Sequence, residues 1–330
     1  VDGAIDIAGT GTAVAGTRGL NLSDGEISST GTGADAATIT ITGNAFDDGV
    51  LVRNAFSVNS VVGTILIDGT STDDDGVDFQ SGAVIQSTGT GISAATITID
   101  GTGANGRGIE SDVAQVNSVD GNISLSGNGG EGINLETTAV SSTGSANIVL
   151  LGVGNLSDGI DLEDTTVRSL GTGTITLDGS TNGDDGIFME EDTATTQVSS
   201  VAGDISIIGV SIATGATNSG VDIDSGITLA INATGVANIA ITGTAGGPDP
   251  AVEIDSPISS GSGTVTITSL NGISATDDIA FGVDGDITST SGTVTINADT
   301  AGTTADVIMA DGAVINAGSG TIDIDADVDV

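Results

Sequence analysis

The side chains of this sequence that can do chemistry are almost all carboxylates. The 330 residues include 45 Asp and Glu against four Arg, with no Lys, Cys or His, and the formal charge is −41. Thiolate nucleophiles, imidazole bases and cysteine-held metal clusters are therefore excluded. The remaining options are acid–base catalysis by paired carboxylates and the binding of hard cations such as Ca²⁺ through oxygen ligands.

The acids recur at fixed positions relative to a small anchor residue that is usually Gly. The anchors are Gly19, Gly49, Gly76, Gly108, Gly132, Gly159, Gly186, Gly220, Ala251, Asp278 and Asp306. The residues directly before the first eight anchors are Arg18, Asp48, Asp75, Arg107, Glu131, Asp158, Asp185 and Ser219. Four residues after the anchors the series reads Arg53, Gln80, Asp112, Glu136, Glu163, Glu190, Asp224 and Asp255. If the anchors stack, these side chains form columns of like charge.

Such columns need compensation, because unscreened like charges one strand spacing apart repel by about 1 kcal/mol even at a water-like dielectric. Arg18 and Arg107 can compensate locally, whereas the step from Asp158 to Asp185 has no such partner. The sequence therefore predicts a candidate calcium site formed by Asp158, Asp161, Glu163, Asp184, Asp185 and Glu190. The alternative is that ordinary salt screens a solvated acidic surface, in which case no cofactor is required.

The elements that must position these acids are short strands in a repeat of about 27 residues, the approximate spacing of the anchors. After each anchor, apolar residues occupy alternate positions, as in Ile133/Leu135 and Ile160/Leu162. A second strand reads apolar-x-Ser and a third reads x-Thr-Ile-x-Ile, so each coil has three strands with one inward face each. We predict an all-β fold, a right-handed parallel β-helix of about eleven coils, with residues 1–330 as a single domain cut from a longer chain.

Two further columns are open to a functional interpretation. Serines such as Ser142 and Ser169 should point inward, and without a His or Lys base they are interpreted as structural. Outward Thr-x-Thr pairs such as Thr174/Thr176 resemble the ice-facing side of β-solenoid antifreeze proteins, which leaves ice binding as a remote alternative. The other alternative is a carbohydrate-active β-helix enzyme of the lyase or hydrolase kind, although the chain lacks Trp and Tyr for sugar platforms.

The charge and hydropathy exclude two classes of partner. With four Arg as the only cations, the chain cannot neutralise nucleic-acid phosphates or bind anionic lipid headgroups. No run of eighteen apolar residues is present, so membrane insertion is not expected. Terminal coils present unpaired strand edges, and we expect end-to-end self-association through them or their continuation in a longer parent chain. The cell-surface or matrix partner stays unidentified.

The repeated element Gly-x-Ile-x-(Ile/Leu)-x-Gly occurs as GTITLDG, GNISLSG and GDISIIG. It resembles the coils of large bacterial surface proteins, the filamentous-haemagglutinin type of adhesin and the autotransporter stalk. The resemblance implies an extracellular or cell-surface location and a structural role without enzymatic activity, as an adhesin stalk or the body of a secreted filament.

Overall fold

The structure is a computed structural model that describes residues 3–12, 14–33, 36–214, 218–270, 278–298 and 306–326. It is a parallel β-solenoid of about ten turns with about 28 residues per turn, which confirms the predicted β-helix with three strands per coil. The end residues of the predicted domain, Val1 and Val330, lie outside the described residues. A single turn of 3₁₀ helix, Gly91–Ser93, is the only helix among the described residues.

Three faces run along the solenoid. Face A has twelve parallel strands: Ala4–Thr10, Thr38–Ala45, Ile65–Ser71, Ile97–Gly103, Ile123–Gly129, Ile148–Gly154, Ile175–Thr181, Ile205–Ser211, Ile239–Ala245, Val265–Ser269, Val294–Ala298 and Ile322–Ala326. Each strand pairs in register with its equivalent one turn later, for example Ile148 with Ile175. Eleven steps of about 4.8 Å make a rod roughly 50 Å long.

Faces B and C follow the anchor residues. Face B consists of Leu20–Ser23, Val50–Arg53, Glu131–Glu136, Ile160–Glu163, Ile187–Glu190, Val221–Ile223, Val252–Ile254, Ile279–Phe281 and Val307–Met309. Face C consists of Glu26–Ser29, Ser57–Ser60, Ala139–Ser142, Thr166–Ser169, Gln197–Ser200, Ile231–Ala233, Ile258–Ser260, Ile287–Ser289 and Ile315–Asn316. Two longer strands, Val77–Ser87 and Arg107–Ser118, run through both faces and join them.

The core is the column of inward apolar side chains predicted from the alternation. Ile133, Ile160 and Ile187 are fully buried and lie in register on face B. Phe79, Phe281 and Met189 fill the second inward column of face B, to which Leu135 and Leu162 also belong. Met309 lies at the equivalent position near the end of face B and is 39% exposed, because no described strand of face B packs beyond its own.

The inward serines of face C are buried and structural, as predicted. Ser169 Oγ donates to the Gly173 carbonyl at 2.7 Å, and Ser260 Oγ donates to the Gly263 carbonyl at 2.9 Å. Ala233 interrupts the column between Ser200 and Ser260. Hydroxyls of this column thus satisfy backbone carbonyls at the corner where face C leads to face A, whereas those of Ser29 and Ser87 are buried without a hydrogen-bond partner.

Glycines serve mainly in close backbone approaches. A Cβ added at Gly152 would overlap the Gly159 carbonyl oxygen, and Gly152 does not have a left-handed φ. The left-handed residues between faces B and C are instead mostly not glycine: Asp24, Asn54, Ala55, Ser81, Val113, Thr137 and Asp164. At this corner the positive φ is thus supplied mostly by other residues, while glycine permits the close approaches of the backbone elsewhere. Asn and Asp tolerate that conformation, whereas Val113, at φ 60°, is a strained exception.

Candidate cation site

The acids are brought together where the chain leaves face A and begins face B. In each coil the residue directly before the anchor, which we call position −1, lies beside its equivalent in the next coil, as Arg107 does with Glu131. The residue two after the anchor, position +2, also stacks, so Asn134 lies in register with Asp161. The anchor between them allows a tight turn, and positions −1 and +2 consequently share one corner of the rod.

The −1 aspartates are held by the backbone of the following coil. Asp158 Oδ1 accepts the N–H of Asp185 at 2.8 Å, and Asp75 Oδ1 accepts the N–H of Arg107 at 2.6 Å. Asp185 Oδ1 accepts the N–H of Ser219 in the same way. These bonds fix the carboxylates at the corner and keep them close to one another.

Two groups of three carboxylates result, and they occupy equivalent positions. The lower trio is Glu131, Asp158 and Asp161; the upper trio is Asp48, Asp75 and Asp78. Each trio consists of two successive −1 residues and the +2 residue of the second coil. Within a trio, one oxygen from each residue lies within 4.8 Å of the others. Both trios are thus geometrically able to hold one cation.

The predicted calcium set is brought together only in part. Asp158 and Asp161 belong to the lower trio, and Asp158 forms a second group with Asp184 and Asp185 on its outer side. Asp184 is exposed and Asp185 is half-buried.

Glu163 and Glu190 are neighbours in register on face B, but they belong to neither group. The pKa of Glu163 is raised by burial and by the nearby charge of Glu190. These two acids form a stacked pair on a partly exposed face, four residues beyond their anchors rather than at the corner.

Asp161 differs from its expected surroundings. It points away from the apolar core, yet it is only 9% exposed, because it lies between Asn134 and Phe188 on the neighbouring strands. Asn134 Nδ2 donates to Asp161 Oδ2 at 2.9 Å. Phe188 has no donor to offer, and Asp161 Oδ1 is buried without a hydrogen-bond partner.

Asp78 has the same character in the upper trio. It is 3% exposed, and it lies between Leu51 and Glu110 in the face B register. Gln80 Nε2 donates to Asp78 Oδ2 at 2.6 Å, while Asp78 Oδ1 is buried without a partner. Each trio therefore contains one buried carboxylate oxygen that nothing in the described part of the chain satisfies.

Burial raises the pKa values of these acids. Desolvation, followed by the charge of Glu131, raises the pKa of Asp161 to about 9. Desolvation raises the pKa of Asp158 to about 6 and that of Asp185 to about 7, in both cases against backbone hydrogen bonds that lower it. The pKa values of Asp75 and Asp78 are raised to about 8, again mainly by desolvation. Burial therefore disfavours the ionised form of each of these acids, most of all at Asp161.

Arginine performs this neutralisation elsewhere in the same corner. Arg107, at position −1, contacts Glu131 of the next coil through Nε at 2.9 Å and Glu110 of its own coil through Nη1 at 2.9 Å. Arg18 pairs with Asp48 in the same column. The expectation that Arg18 and Arg107 compensate neighbouring acids is confirmed.

Sequence reasoning missed Glu131 and the upper trio as parts of a site. The signal was present, because Asp48, Asp75 and Glu131 all belong to the −1 series. The prediction combined that series with Glu163 and Glu190, four residues after their anchors, and with Asp161 as its only +2 residue, whereas the structure combines the −1 series with the +2 series. The distance between the two positions depends on the turn at the anchor, which the sequence pattern does not reveal.

A shallow cleft elsewhere lacks paired acids. Its volume is about 390 Å³, and its lining includes Thr96, Asp120, Asn122 and Ser145. Asp120 already accepts the N–H groups of Gly91 and Ser145, and these bonds lower its pKa. A carboxylate with a lowered pKa is poorly suited to act as a general acid.

These features define the class of the chain as a parallel β-solenoid with a buried acidic corner. No protein-family model, curated protein or solved structure matches it. Among the described residues, no helix has the length and apolar character needed to span a membrane. The function must therefore be inferred from the fold and the corner themselves.

Proposed function

We propose that this chain is an extracellular structural element, the stalk of a surface adhesin or the body of a secreted filament. The observation that carries the proposal is the regularity of the rod: face A alone pairs twelve strands in parallel without interruption. A structure of this kind holds its two ends a fixed distance apart, which is what a stalk or filament requires.

Side-chain ladders support this role by tying successive coils together. Asn147 Oδ1 accepts the N–H of Thr174 at 2.9 Å, and Asn122 Oδ1 accepts the N–H of Asn147 at 3.0 Å. Buried threonines do the same at another corner, where the N–H of Thr138 donates to Thr165 Oγ1 at 3.2 Å. Each bond links neighbouring coils, so the ladders reinforce the backbone pairing along the rod.

The proposal includes association by coil stacking. Among the described residues, the strands Ala4–Thr10 and Ile322–Ala326 each pair with one neighbour, Thr38–Ala45 and Val294–Ala298 respectively. A strand with one free edge can accept another parallel strand through its backbone groups. A second copy, or further coils of a longer chain, can continue the solenoid at such an edge.

Localisation and microscopy test the proposal together. We expect an antibody against the chain to label intact producing cells or their secreted matrix, and surface protease treatment to remove the label. Electron microscopy of the isolated material should show rods about 50 Å long, the length that the strand spacing gives, or longer fibres formed from such rods. Labelling only after cell lysis would overturn the proposed location, and compact particles without a long axis would overturn the structural role.

The main competing function is a carbohydrate-active enzyme, and the buried acids with raised pKa are the observation that favours it. A screen of polysaccharides for new reducing or unsaturated ends measures this directly. Turnover that Asp161→Asn or Asp222→Asn abolishes would replace the structural proposal. For ice binding, the apolar Val149 takes the place of an outward threonine beside Thr176 on face A, and thermal hysteresis measurements provide the test.

A further inference from the structure

We propose that the lower trio of Glu131, Asp158 and Asp161 binds one Ca²⁺ ion. The proposal goes beyond the structural role, because a rod without the ion would still be a rod. It also differs from a general attraction of cations to an acidic surface, since it assigns three named ligands at one corner between two coils.

The first support is the geometry of the carboxylates. One oxygen of each residue lies within 4.8 Å of the others, and the two aspartates are held by the bonds from the Asp185 N–H and from Asn134. Three carboxylates supply up to six oxygens, and Ca²⁺ takes six to eight. Mg²⁺ demands a near-ideal octahedron and keeps most of its waters, so it fits a largely buried trio less well.

The second, independent support is the buried Asp161 Oδ1. It has no hydrogen-bond partner, and its residue is more than nine-tenths buried. A buried carboxylate oxygen left unsatisfied costs more free energy than an ordinary unmade hydrogen bond. A cation held by the trio would give this carboxylate a positive partner, which Phe188 on the neighbouring strand cannot supply.

The third support is an internal comparison with the preceding coil. There Arg107 occupies position −1 and joins the +2 acid of its own coil, Glu110, to the −1 acid of the next coil, Glu131. In the coil of the lower trio, Asp158 occupies the arginine's position, and the +2 acid is Asp161. The chain thus supplies its own cation in one coil and places a third carboxylate at the equivalent point in the next.

The two trios have the same kinds of protein partner. Arg18 pairs with Asp48 as Arg107 does with Glu131, and the backbone N–H of Arg107 engages Asp75 as that of Asp185 engages Asp158. The lower trio differs in that Asp158 is shared with a second group, Asp158, Asp184 and Asp185, whose carboxylates add negative charge beside it. We therefore expect the tight ion at the lower trio.

A proton is the competing occupant. Without a cation, Asp161 can stay neutral by retaining its proton, as its raised pKa indicates. Asp222 provides the control for this possibility. It occupies the same +2 position two coils later, and desolvation raises its pKa to about 8, yet it belongs to no trio.

The test is calorimetric titration of the chelator-treated full chain with CaCl₂ and, separately, with MgCl₂, at a constant sodium chloride concentration. We expect one tight Ca²⁺ site that Mg²⁺ competes for poorly. Asp161→Asn should weaken it by more than about tenfold, the lower end of the loss that even outer-sphere partners cause. Asp222→Asn should leave the affinity unchanged.

Three results would overturn the proposal: no saturable Ca²⁺ binding to the wild type, equal affinity for both metals, or equal loss in the two variants. Equal loss would mean that buried acids in general, rather than the trio, govern the response. If Asp161→Asn does not fold, Glu131→Gln tests the same ligand set, because the amide retains an acceptor for Arg107. Unchanged Ca²⁺ affinity in a folded Glu131→Gln would equally exclude the trio.

Discussion

Replacing Asp158 by arginine should make the rod independent of calcium. In the wild type, Asp158 lies between Asp161 of its own coil and Asp185 of the next. Arg107 has the same relation to Glu110 and Glu131, and it contacts both at 2.9 Å. The Asp158→Arg guanidinium can therefore reproduce the Arg107 bridge one step further along the same corner, with no change of register.

The size of the effect follows from the bonds exchanged. Two new charge-assisted hydrogen bonds contribute about 1.5 kcal/mol each, the low end of their range, because Arg107 itself is 38% exposed. The substitution removes the bonds that Asp158 accepts from the Asp185 N–H and from Ser157 Oγ, about 1 kcal/mol each. The substitution also relieves repulsion between carboxylates, about 1 kcal/mol per pair at a water-like dielectric. This gain offsets the conformational entropy that the arginine side chain loses when it becomes ordered.

The net expectation is a gain of about 1 kcal/mol in the absence of calcium, which corresponds to a rise in Tm of roughly 2 °C or less for a chain of this size. Differential scanning calorimetry in chelator and in excess Ca²⁺ measures both the gain and the calcium response. Asp158→Asn is the matched control, since it removes the charge without supplying a bridge. It should lose the calcium response and show no comparable gain.

The reasoning would be refuted by either of two outcomes. Asp158→Arg could keep a calcium-dependent rise in Tm as large as that of the wild type, in which case the ion does not depend on Asp158. It could also melt well below Asp158→Asn, in which case the corner does not accept a second arginine and the comparison with Arg107 is invalid.

In chelator, Tm should rise as the pH falls from about 8 to about 5. The buried aspartates have pKa values from about 6 to about 9 in the folded chain, so they bind protons more tightly in the folded state than in the unfolded state. The stabilisation from their protonation is complete below the unfolded-state pKa and is lost as the pH rises through the folded-state pKa. Saturating Ca²⁺ should flatten this pH dependence of Tm. A Tm that falls on acidification across this window would contradict the prediction. Ile160→Asp should lower stability by about 4 kcal/mol or prevent folding, since it places an unpaired charge in a fully buried column, whereas Thr176→Asp on the outward side of face A should cost less than about 1 kcal/mol. Equal melting temperatures of the two variants would show that the inward and outward assignments are wrong. Val113→Asn should raise stability by about 1 kcal/mol, because it relieves the strain of a β-branched residue in the left-handed conformation. Val201→Asn, at a similarly exposed valine without a positive φ, should change stability little. A gain in both variants would indicate a general surface effect instead.

Much of the fold could be predicted because two periodicities agree. The two-residue alternation of Ile160 and Leu162 defines the inward side of a strand, and the recurrence of that pair at Ile133/Leu135 and Ile187/Met189 defines the stacking partner. A register error would have to violate both patterns at once. The inward serines followed from the same alternation, and Ser169 is indeed fully buried.

The site was harder to predict, because it depends on a corner rather than on a strand. Alternation correctly turns Asp161 away from the core, but it cannot show that Asn134 and Phe188 cover the side chain from both sides. The closeness of Asp158 to Asp161 likewise depends on the turn at Gly159. Glu163 was included because it stacks on Glu190, and it does, but stacking on one face does not bring these acids to the corner.

A solenoid makes the placement of charge unusually consequential, because any residue at a given position lies about one strand spacing from its equivalent in the next coil. Stacked like charges accumulate unless the sequence interrupts them. The −1 column does so with Arg18, Arg107 and Ser219, and the +2 column does so with Asn134 and Phe188. At the lower trio the two columns are not interrupted in the same coils. Asn134 and Phe188 flank Asp161 in the +2 column, while Glu131 and Asp158 are successive acids in the neighbouring −1 column. The corner thus concentrates three carboxylates with little access to water, here as at the upper trio, and the proposed Ca²⁺ would offset the repulsion among the lower three.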